Sequence, residues 1–134
     1  QILDLMMSLK DKRDDAAILL ITHDLAVVAE TCDRVIVMYG GKIQEIAEIN
    51  ELFNNPLHPY TKALMNSIPK MEKKENRLRA LKGMVPSLLN MGDGCKLCSR
   101  FDPEDCACGG TKKEPDLYEI TTNHYVRCNP NIFK

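Results

Sequence analysis

The sequence lacks a net charge of either sign, because 18 lysine and arginine side chains stand against 19 aspartate and glutamate side chains. A formal charge of −1 provides no overall electrostatic attraction to nucleic acid or to anionic lipid. Also absent are an apolar run of the roughly 20 residues that cross a bilayer and a basic, then apolar, secretion leader. These absences predict a cytosolic protein.

The length of 134 residues fits one compact domain, or part of a domain with a small appendage. Apolar residues near the N-terminus recur at helical spacing and predict a helix over about 1–12: Ile2, Leu5, Met6 and Leu9. No N-capping residue precedes this helix, so we expect the chain to be part of a longer protein.

The next segments alternate in a way that is typical of α/β proteins. Residues 16–21 are wholly apolar, which favours a strand buried on both faces of a parallel sheet. Asp24 is a plausible N-cap for a short helix over about 25–31, and a second apolar strand follows over 35–39. Helix, buried strand, helix and buried strand therefore predict an α/β fold with buried parallel strands.

After the second strand the pattern changes. Gly40-Gly41 is a two-residue hairpin signal, so 42–47 is predicted to return antiparallel as an edge strand. Short helices are expected over 51–54 and 60–67, and 70–82 is a charged helix or linker. The remaining tail has little regular pattern and predicts a small, irregular, cysteine-rich lobe that needs a cross-link to fold.

Five of the six cysteines lie in this tail, and their spacing points to a metal site: Cys95, Cys98, Cys106, Cys108 and Cys128. A C-x2-C pair places two sulfur atoms on one turn, and thiols stay reduced in the cytosol. Metal ligation is therefore favoured over structural thiols or disulfides, and thiolates accept either zinc or an iron-sulfur cluster. His124 is an alternative ligand, although a core-edge histidine is the simpler interpretation. Cys32 is interpreted as a small buried hydrophobic residue.

The stretch from Ile18 to Tyr39 resembles the C-terminal part of the nucleotide-binding core of ABC transporter ATPases. Its Thr22-His23-Asp24 sequence follows an apolar strand, and a Cys-Asp-Arg-Val-Ile-Val-Met strand and a glycine turn come after it. The resemblance implies that His23 is the catalytic and ATP-binding switch histidine, which reaches the γ-phosphate. An imidazole at the carboxyl end of a strand can donate to a phosphoryl oxygen there. The alternative is a helix-capping histidine beside Asp24.

Further along, the segment 54–64 is similar to the His-Pro-Tyr-Thr motif that opens the C-terminal extension of oligopeptide and dipeptide importer ATPases. The segment 85–95 and the His-Tyr-Val-Arg-Cys sequence at 124–128 resemble later parts of the same extension. Within the motif, His58 lies between Pro56 and Pro59, and we expect it to order a turn rather than to ligate or catalyse.

Some members of this family carry a four-iron cluster on four cysteines of the extension. The resemblance implies Cys95, Cys108 and Cys128 as ligands of a [4Fe-4S] cluster, with zinc as the alternative metal. The fourth family position is not a cysteine here, so Cys98 is expected to replace it, with Cys106 as the alternative ligand. Such a closed site fits a structural or redox-sensing role.

The resemblance divides the chain into three parts: the end of an ABC nucleotide-binding core (1–48), a helical extension with a charged linker (49–86) and a cysteine-rich lobe (87–134). The phosphate-binding Walker A, signature and Walker B motifs do not occur in the sequence. The intact parent is therefore expected to be an ATPase that uses ATP and Mg, whereas this portion alone is expected not to hydrolyse ATP.

The implied function is that of the C-terminal portion of a peptide importer ATPase, peripheral on the cytoplasmic side of the membrane. The implied partners are transmembrane permease subunits, a second ATPase subunit and, indirectly, an external peptide-binding protein, with no nucleic acid. A related importer for nickel or an oligosaccharide is one alternative. A standalone thiolate-metal module is the other, but residues 95–134 carry six basic and six acidic side chains rather than the basic face such a module needs.

Overall fold

A computed structural model describes residues 2–68, 84, 85, 87, 89, 91–101 and 113–128. The chain divides into two compact units, Gln1–Asp33 and Arg34–Lys134. The predicted charged linker over 70–82 lies outside the described residues. Among the described residues, no helix combines the length and the apolar character needed to cross a membrane.

The first unit contains two helices, α1 (Ile2–Asp11) and α2 (Leu25–Thr31). Both lie close to their predicted positions, and Asp24 occupies the N-cap of α2 as its sequence indicated. No residue of α1 is buried in this unit, although the helix carries an apolar stripe. Periodicity therefore predicted the helix, while the structure shows that its apolar side remains exposed.

The predicted buried strand over 16–21 is wrong. These residues have no regular secondary structure, and Leu19 and Ile21 are 82% and 90% exposed. A strand requires a neighbour that accepts and donates backbone hydrogen bonds, and no described residue pairs with this segment. An apolar composition suits a buried strand, but it does not supply the partner.

The second unit is built on one four-stranded sheet whose strands are β1 (Arg34–Tyr39), β2 (Lys42–Glu48), β3 (Tyr118–Thr121) and β4 (His124–Val126). The spatial order is β1-β2-β4-β3, and every neighbouring pair is antiparallel. The fold is mixed α/β as predicted, but the prediction of parallel strands is wrong for the described sheet. The β1–β2 hairpin is confirmed.

Two further predictions are corrected by β4. The strand β2 is not an edge strand, because Glu45 and Ile46 pair with Val126 and Tyr125. The tail is also not wholly irregular, since β3 and β4 form a hairpin around Asn123, whose φ is +60°. The residues that cover β2 are separated from it by about 80 positions, so its local sequence could not reveal them.

Helices α3 (Ile49–Asn54) and α4 (Pro59–Asn66) follow the β1–β2 hairpin, and a short 3₁₀ turn spans Cys98–Arg100. The core of the unit is formed where these elements meet the sheet. Its most deeply buried apolar side chains are Ala47, Leu52, Leu97 and Val126. Leu57 of the extension and Cys95, Cys98 and Phe101 of the tail pack against one buried cluster formed by Val126 and Cys128.

Both glycines of the β1–β2 turn adopt positive φ angles, +57° at Gly40 and +74° at Gly41. This is the backbone of a type I′ turn, which matches the twist of the two strands and favours glycine. A Cβ placed on Gly40 would lie 2.8 Å from Sδ of Met91, whereas nothing lies within 4 Å of a Cβ on Gly41. The first glycine therefore also permits the approach of the tail.

We predict that Gly40→Ala lowers the free energy of unfolding more than Gly41→Ala does. Each change places a side chain in a left-handed conformation, at about 1–2 kcal/mol, but only the first also displaces Met91. Urea denaturation of both variants measures the difference. Adding Met91→Ala to Gly40→Ala should reduce the difference in free energy of unfolding between the two glycine variants. An unchanged difference would show that contact with Met91 is not its cause.

Candidate functional site

The Thr22-His23-Asp24 segment is ordered by hydrogen bonds to its two outer residues. The Asp24 carboxylate accepts from the N–H groups of Ala26 (2.9 Å) and Val27 (3.3 Å), which caps α2. The backbone N–H of Asp24 donates to the Thr22 hydroxyl at 3.1 Å. The capping role considered for His23 thus belongs to Asp24.

The His23 side chain is exposed, and it makes no hydrogen bond to any described residue. Its position between two hydrogen-bonded neighbours restrains the backbone that carries it. Both ring nitrogens are therefore available to a molecule that approaches from solvent, and an imidazole N–H can donate to a phosphoryl oxygen.

In the second unit, a fully buried carboxylate connects the extension to the tail. Glu45 on β2 is 0% exposed, and its Oε1 accepts from the backbone N–H of Leu57 at 2.7 Å. Its Oε2 accepts from the backbone N–H of His58 at 3.1 Å. The Nε2 atom of His124 on β4 lies 2.7 Å from Oε1 of Glu45. Three segments of the chain therefore meet at one side chain.

His58 performs the structural role that its flanking sequence predicted. It is buried, and its Nδ1 accepts from the backbone N–H of Tyr60 at 3.0 Å, which caps α4. Burial lowers the pKa of His58 from 6.5 to about 4, against the effect of a hydrogen bond with the backbone of Arg127, and the positive charge of Lys62 lowers it further. The ring is consequently neutral near pH 7, which the acceptor role at Nδ1 requires.

Tyr60 links the same motif to the sheet and to the tail. Its ring packs edge-on against Tyr39, with centroids 5.0 Å apart. Arg100 donates to the Tyr39 hydroxyl at 3.0 Å, and its guanidinium carbon lies 5.7 Å from the centre of the Tyr39 ring. Burial raises the pKa of Tyr60, as does Tyr39, while Arg100 opposes the rise.

Three of the predicted metal ligands lie in one apolar cluster. Cys95, Cys98 and Cys128 pack together with Val126, and Cys128 is buried. Cys98 is disulfide-bonded, and a disulfide sulfur is not the thiolate that metals bind. The described residues contain no group of three histidine, cysteine or acidic side chains arranged to hold a metal ion. Cys108 and the alternative ligand Cys106 lie outside the described residues.

The remaining two candidates are placed differently. Cys32 is half-buried at the end of α2, with its Sγ 3.7 Å from the Thr31 hydroxyl. His124 is buried, but its Nε2 faces Glu45, as described above. The core-edge interpretation of His124 therefore describes its surroundings better than the alternative of a metal ligand.

Sequence reasoning missed Glu45 and the structural role of Arg127. The Arg127 guanidinium donates to the backbone oxygens of Ile43 (2.6 Å) and Pro115 (2.9 Å), and so ties β2 to the segment before β3. The available signal for Glu45 was an acidic residue flanked by polar Gln44 and apolar Ile46 within a short strand. That pattern indicates a buried acid only once a second strand is known to cover β2.

We predict that the free energy of unfolding decreases as the pH falls from about 6.5 to about 4, because unfolded His58 takes up a proton that the folded state resists. The full effect is roughly 3 kcal/mol. His58→Asn keeps a capping oxygen for the Tyr60 N–H but cannot titrate, so urea denaturation should show a weaker pH dependence in this variant. Parallel pH dependences in the two proteins would contradict this prediction.

Comparisons with known proteins agree with this arrangement. Residues 44–108 match the family model described as "Oligopeptide/dipeptide transporter, C-terminal region". This match begins on β2, next to Glu45, and includes the His58-Pro59-Tyr60 motif of α4.

Three curated relatives each align with 96% of this chain. The identity is 47% with a probable peptide ABC transporter ATP-binding protein, y4tR, of Sinorhizobium fredii. It is 43% with the oligopeptide transport ATP-binding protein AppD of Bacillus subtilis and 39% with the dipeptide transport ATP-binding protein DppD of Haemophilus influenzae. The chain spans 38% of the length of each of these relatives. The chain thus belongs to the family of oligopeptide and dipeptide ABC transporter ATP-binding proteins, and it carries the C-terminal region of that family.

Proposed function

We propose that this chain is the C-terminal part of the ATP-binding subunit of a peptide ABC importer. The observation that carries the proposal is its 39–47% identity, over 96% of its length, to proteins named for peptide, oligopeptide and dipeptide transport. The match to the C-terminal region of the transporter family supports the same proposal independently.

In this proposal the whole protein binds ATP and Mg and couples ATP hydrolysis to peptide uptake. It associates peripherally with the cytoplasmic face of the membrane through transmembrane permease subunits, and it pairs with a second ATPase subunit. An external peptide-binding protein delivers the cargo and does not touch this chain. The names of the relatives support these partners, since each is an ATP-binding protein of a transporter.

His23 is proposed to contact the terminal phosphoryl group of ATP. Its exposed ring can donate one N–H to a phosphoryl oxygen and stabilise the charge that develops there during transfer. Support comes from the division of roles in the loop, because Asp24 caps α2 and leaves the imidazole of His23 available. Thr22 restrains Asp24 and so limits the positions that the His23 backbone can adopt.

The cysteines of the tail are proposed to form a thiolate metal site, with Cys95, Cys98, Cys108 and Cys128 as ligands and Cys106 as the alternative to Cys98. The common apolar cluster of Cys95, Cys98 and Cys128 supports this, because it places three sulfur-bearing side chains within one small volume. Cys98 can serve only after its disulfide is reduced, since the ligand is the thiolate. A [4Fe-4S] cluster or zinc would cross-link the tail, with a structural or redox-sensing effect.

We predict that His23→Ala in the full-length protein abolishes ATP hydrolysis and leaves nucleotide binding largely intact. The change removes the donor to the terminal phosphoryl group but keeps the Asp24 cap, so α2 should persist. Steady-state hydrolysis and fluorescent-nucleotide titration measure the two properties. The matched control is Glu30→Gln, an exposed change on α2. If the His23→Ala variant hydrolyses ATP at the rate of the unsubstituted protein, His23 has no role in hydrolysis.

We predict that protein prepared anaerobically under reducing conditions contains either iron with sulfide or one zinc ion. Elemental analysis and visible absorption distinguish the two metals. Cys128→Ser should lower the metal content because this residue lies within the cluster, whereas Cys32→Ser, in the first unit, should not. Metal-free protein that retains a native fold would contradict the proposed site but not the assignment to the importer family.

A further inference from the structure

His124 is buried against acidic groups on both sides of its ring. It is 1% exposed, and its Nε2 lies 2.7 Å from Oε1 of Glu45 on β2. Its Nδ1 lies 3.5 Å from Oε1 of Glu51 on α3, and this nitrogen has no hydrogen-bond partner among the described residues. Oε1 of Glu51 is held in place by the Asn55 side-chain amide, which donates to it at 2.9 Å.

A neutral imidazole carries one proton and cannot donate to both carboxylates. If that proton is on Nε2, the buried lone pair of Nδ1 faces the oxygen of Glu51, and the two acceptors repel each other. If the proton is on Nδ1, the lone pair of Nε2 faces Oε1 of Glu45 at 2.7 Å, which is more unfavourable still because the two atoms are closer and Glu45 is fully buried. Either neutral tautomer therefore leaves one acceptor facing another at a site where water has little access.

The charge of Glu45 provides a second, independent reason for an additional proton. This side chain is 0% exposed, and its other two contacts are the backbone N–H groups of Leu57 and His58, which carry no charge. A fully buried carboxylate that keeps its charge is stabilised by hydrogen bonds and by a cationic partner, which offset the loss of hydration. The nearby Arg127 guanidinium donates instead to the carbonyl oxygens of Ile43 and Pro115.

The other titratable groups around the ring do not supply this positive charge. At the start of α4, the His58 ring is neutral and its Nδ1 caps the helix. Lys62 acts on His58 from within α4. On the tail hairpin, Glu119 accepts from the backbone N–H of Asn123 at 2.9 Å. His124 itself is the group placed to neutralise Glu45.

We propose that His124 carries a proton on both ring nitrogens, and that this imidazolium holds the β3–β4 hairpin against β2 and α3 through ion pairs. The Nε2–H donates to Glu45 and the Nδ1–H is directed at Glu51, so one charged ring connects three elements. Glu51 is 44% exposed, and its Oε1 lies 3.5 Å from Nδ1 of His124. Loss of the second proton at alkaline pH would release the contact with α3 and leave the Glu45 charge uncompensated, which would loosen the hairpin.

Nuclear magnetic resonance of histidine labelled with ¹⁵N, in the intact protein, tests the protonation state. His124→Gln assigns the ring, because the resonances of His124 are the ones missing from the spectrum of that variant. We expect both nitrogens of His124 to have the chemical shifts of a protonated imidazolium at pH 7, and to lose them when the ring is deprotonated. A neutral His124 at pH 7, with one unprotonated nitrogen, would overturn the proposal.

A pair of charge-removing variants tests the partner on α3. Glu51→Gln removes the carboxylate that faces Nδ1, so the His124 transition should move to lower pH. Glu48→Gln removes the same charge from an exposed position at the end of β2, and the transition should stay in place. Equal shifts in the two variants would indicate a general charge effect and overturn the direct contact.

Amide hydrogen exchange tests the mechanical consequence. The protection factors of Tyr125 and Val126, after division by the intrinsic rate at each pH, should fall as His124 loses its second proton. Those of Val35 and Ile36 on β1 should change less, because β1 is paired with the other edge of β2. Unchanged protection of the hairpin when His124 is deprotonated would show that the proton does not hold the hairpin in place.

Discussion

The second unit depends on the burial of one carboxylate. Glu45 has no exposed surface, and each of its oxygens receives a hydrogen bond from the backbone just before α4. Burial of an ionised side chain costs several kcal/mol when its partners are removed, and hydrogen bonds to a charged group contribute about 1.5–3 kcal/mol each. Glu45 therefore stabilises the fold only while Leu57, His58 and His124 are all in place, and their positions become mutually dependent.

This dependence extends from Glu45 to the cysteines. Because Glu45 is the register partner of Val126, the contact that orients His124 also sets where the chain continues after β4. Arg127 then fastens that continuation to Ile43, and Cys128 follows in the apolar cluster. A slip of one residue would turn His124 away from Glu45 and move Cys128 out of the cluster. The location of the thiols is consequently a result of sheet register rather than of the tail sequence alone.

Features encoded within a few residues could be predicted from the sequence. The Asp24 cap, the glycine turn at 40–41 and the start of α4 at Pro59 each depend on local backbone chemistry, and each lies where the sequence indicated. The addition of β4 to β2 depends on residues 79 positions apart and has no local signature. The strand expected over 16–21 failed for the related reason that hydrophobicity predicts burial but cannot supply a hydrogen-bonding neighbour.

The three histidines show why a motif must be interpreted through its surroundings. His58 is buried, and its neutral ring accepts a hydrogen bond from the backbone N–H of Tyr60 at the start of α4. Its role in the His-Pro-Tyr motif is therefore structural. His124 is equally buried, but the groups that face its ring are two acidic side chains rather than a helix N-terminus. His23 is exposed, and Asp24 has taken over the capping role that would otherwise occupy its ring. Of the three, only His23 retains nitrogen atoms for a molecule from outside the chain, and this availability distinguishes a candidate catalytic residue from a structural one.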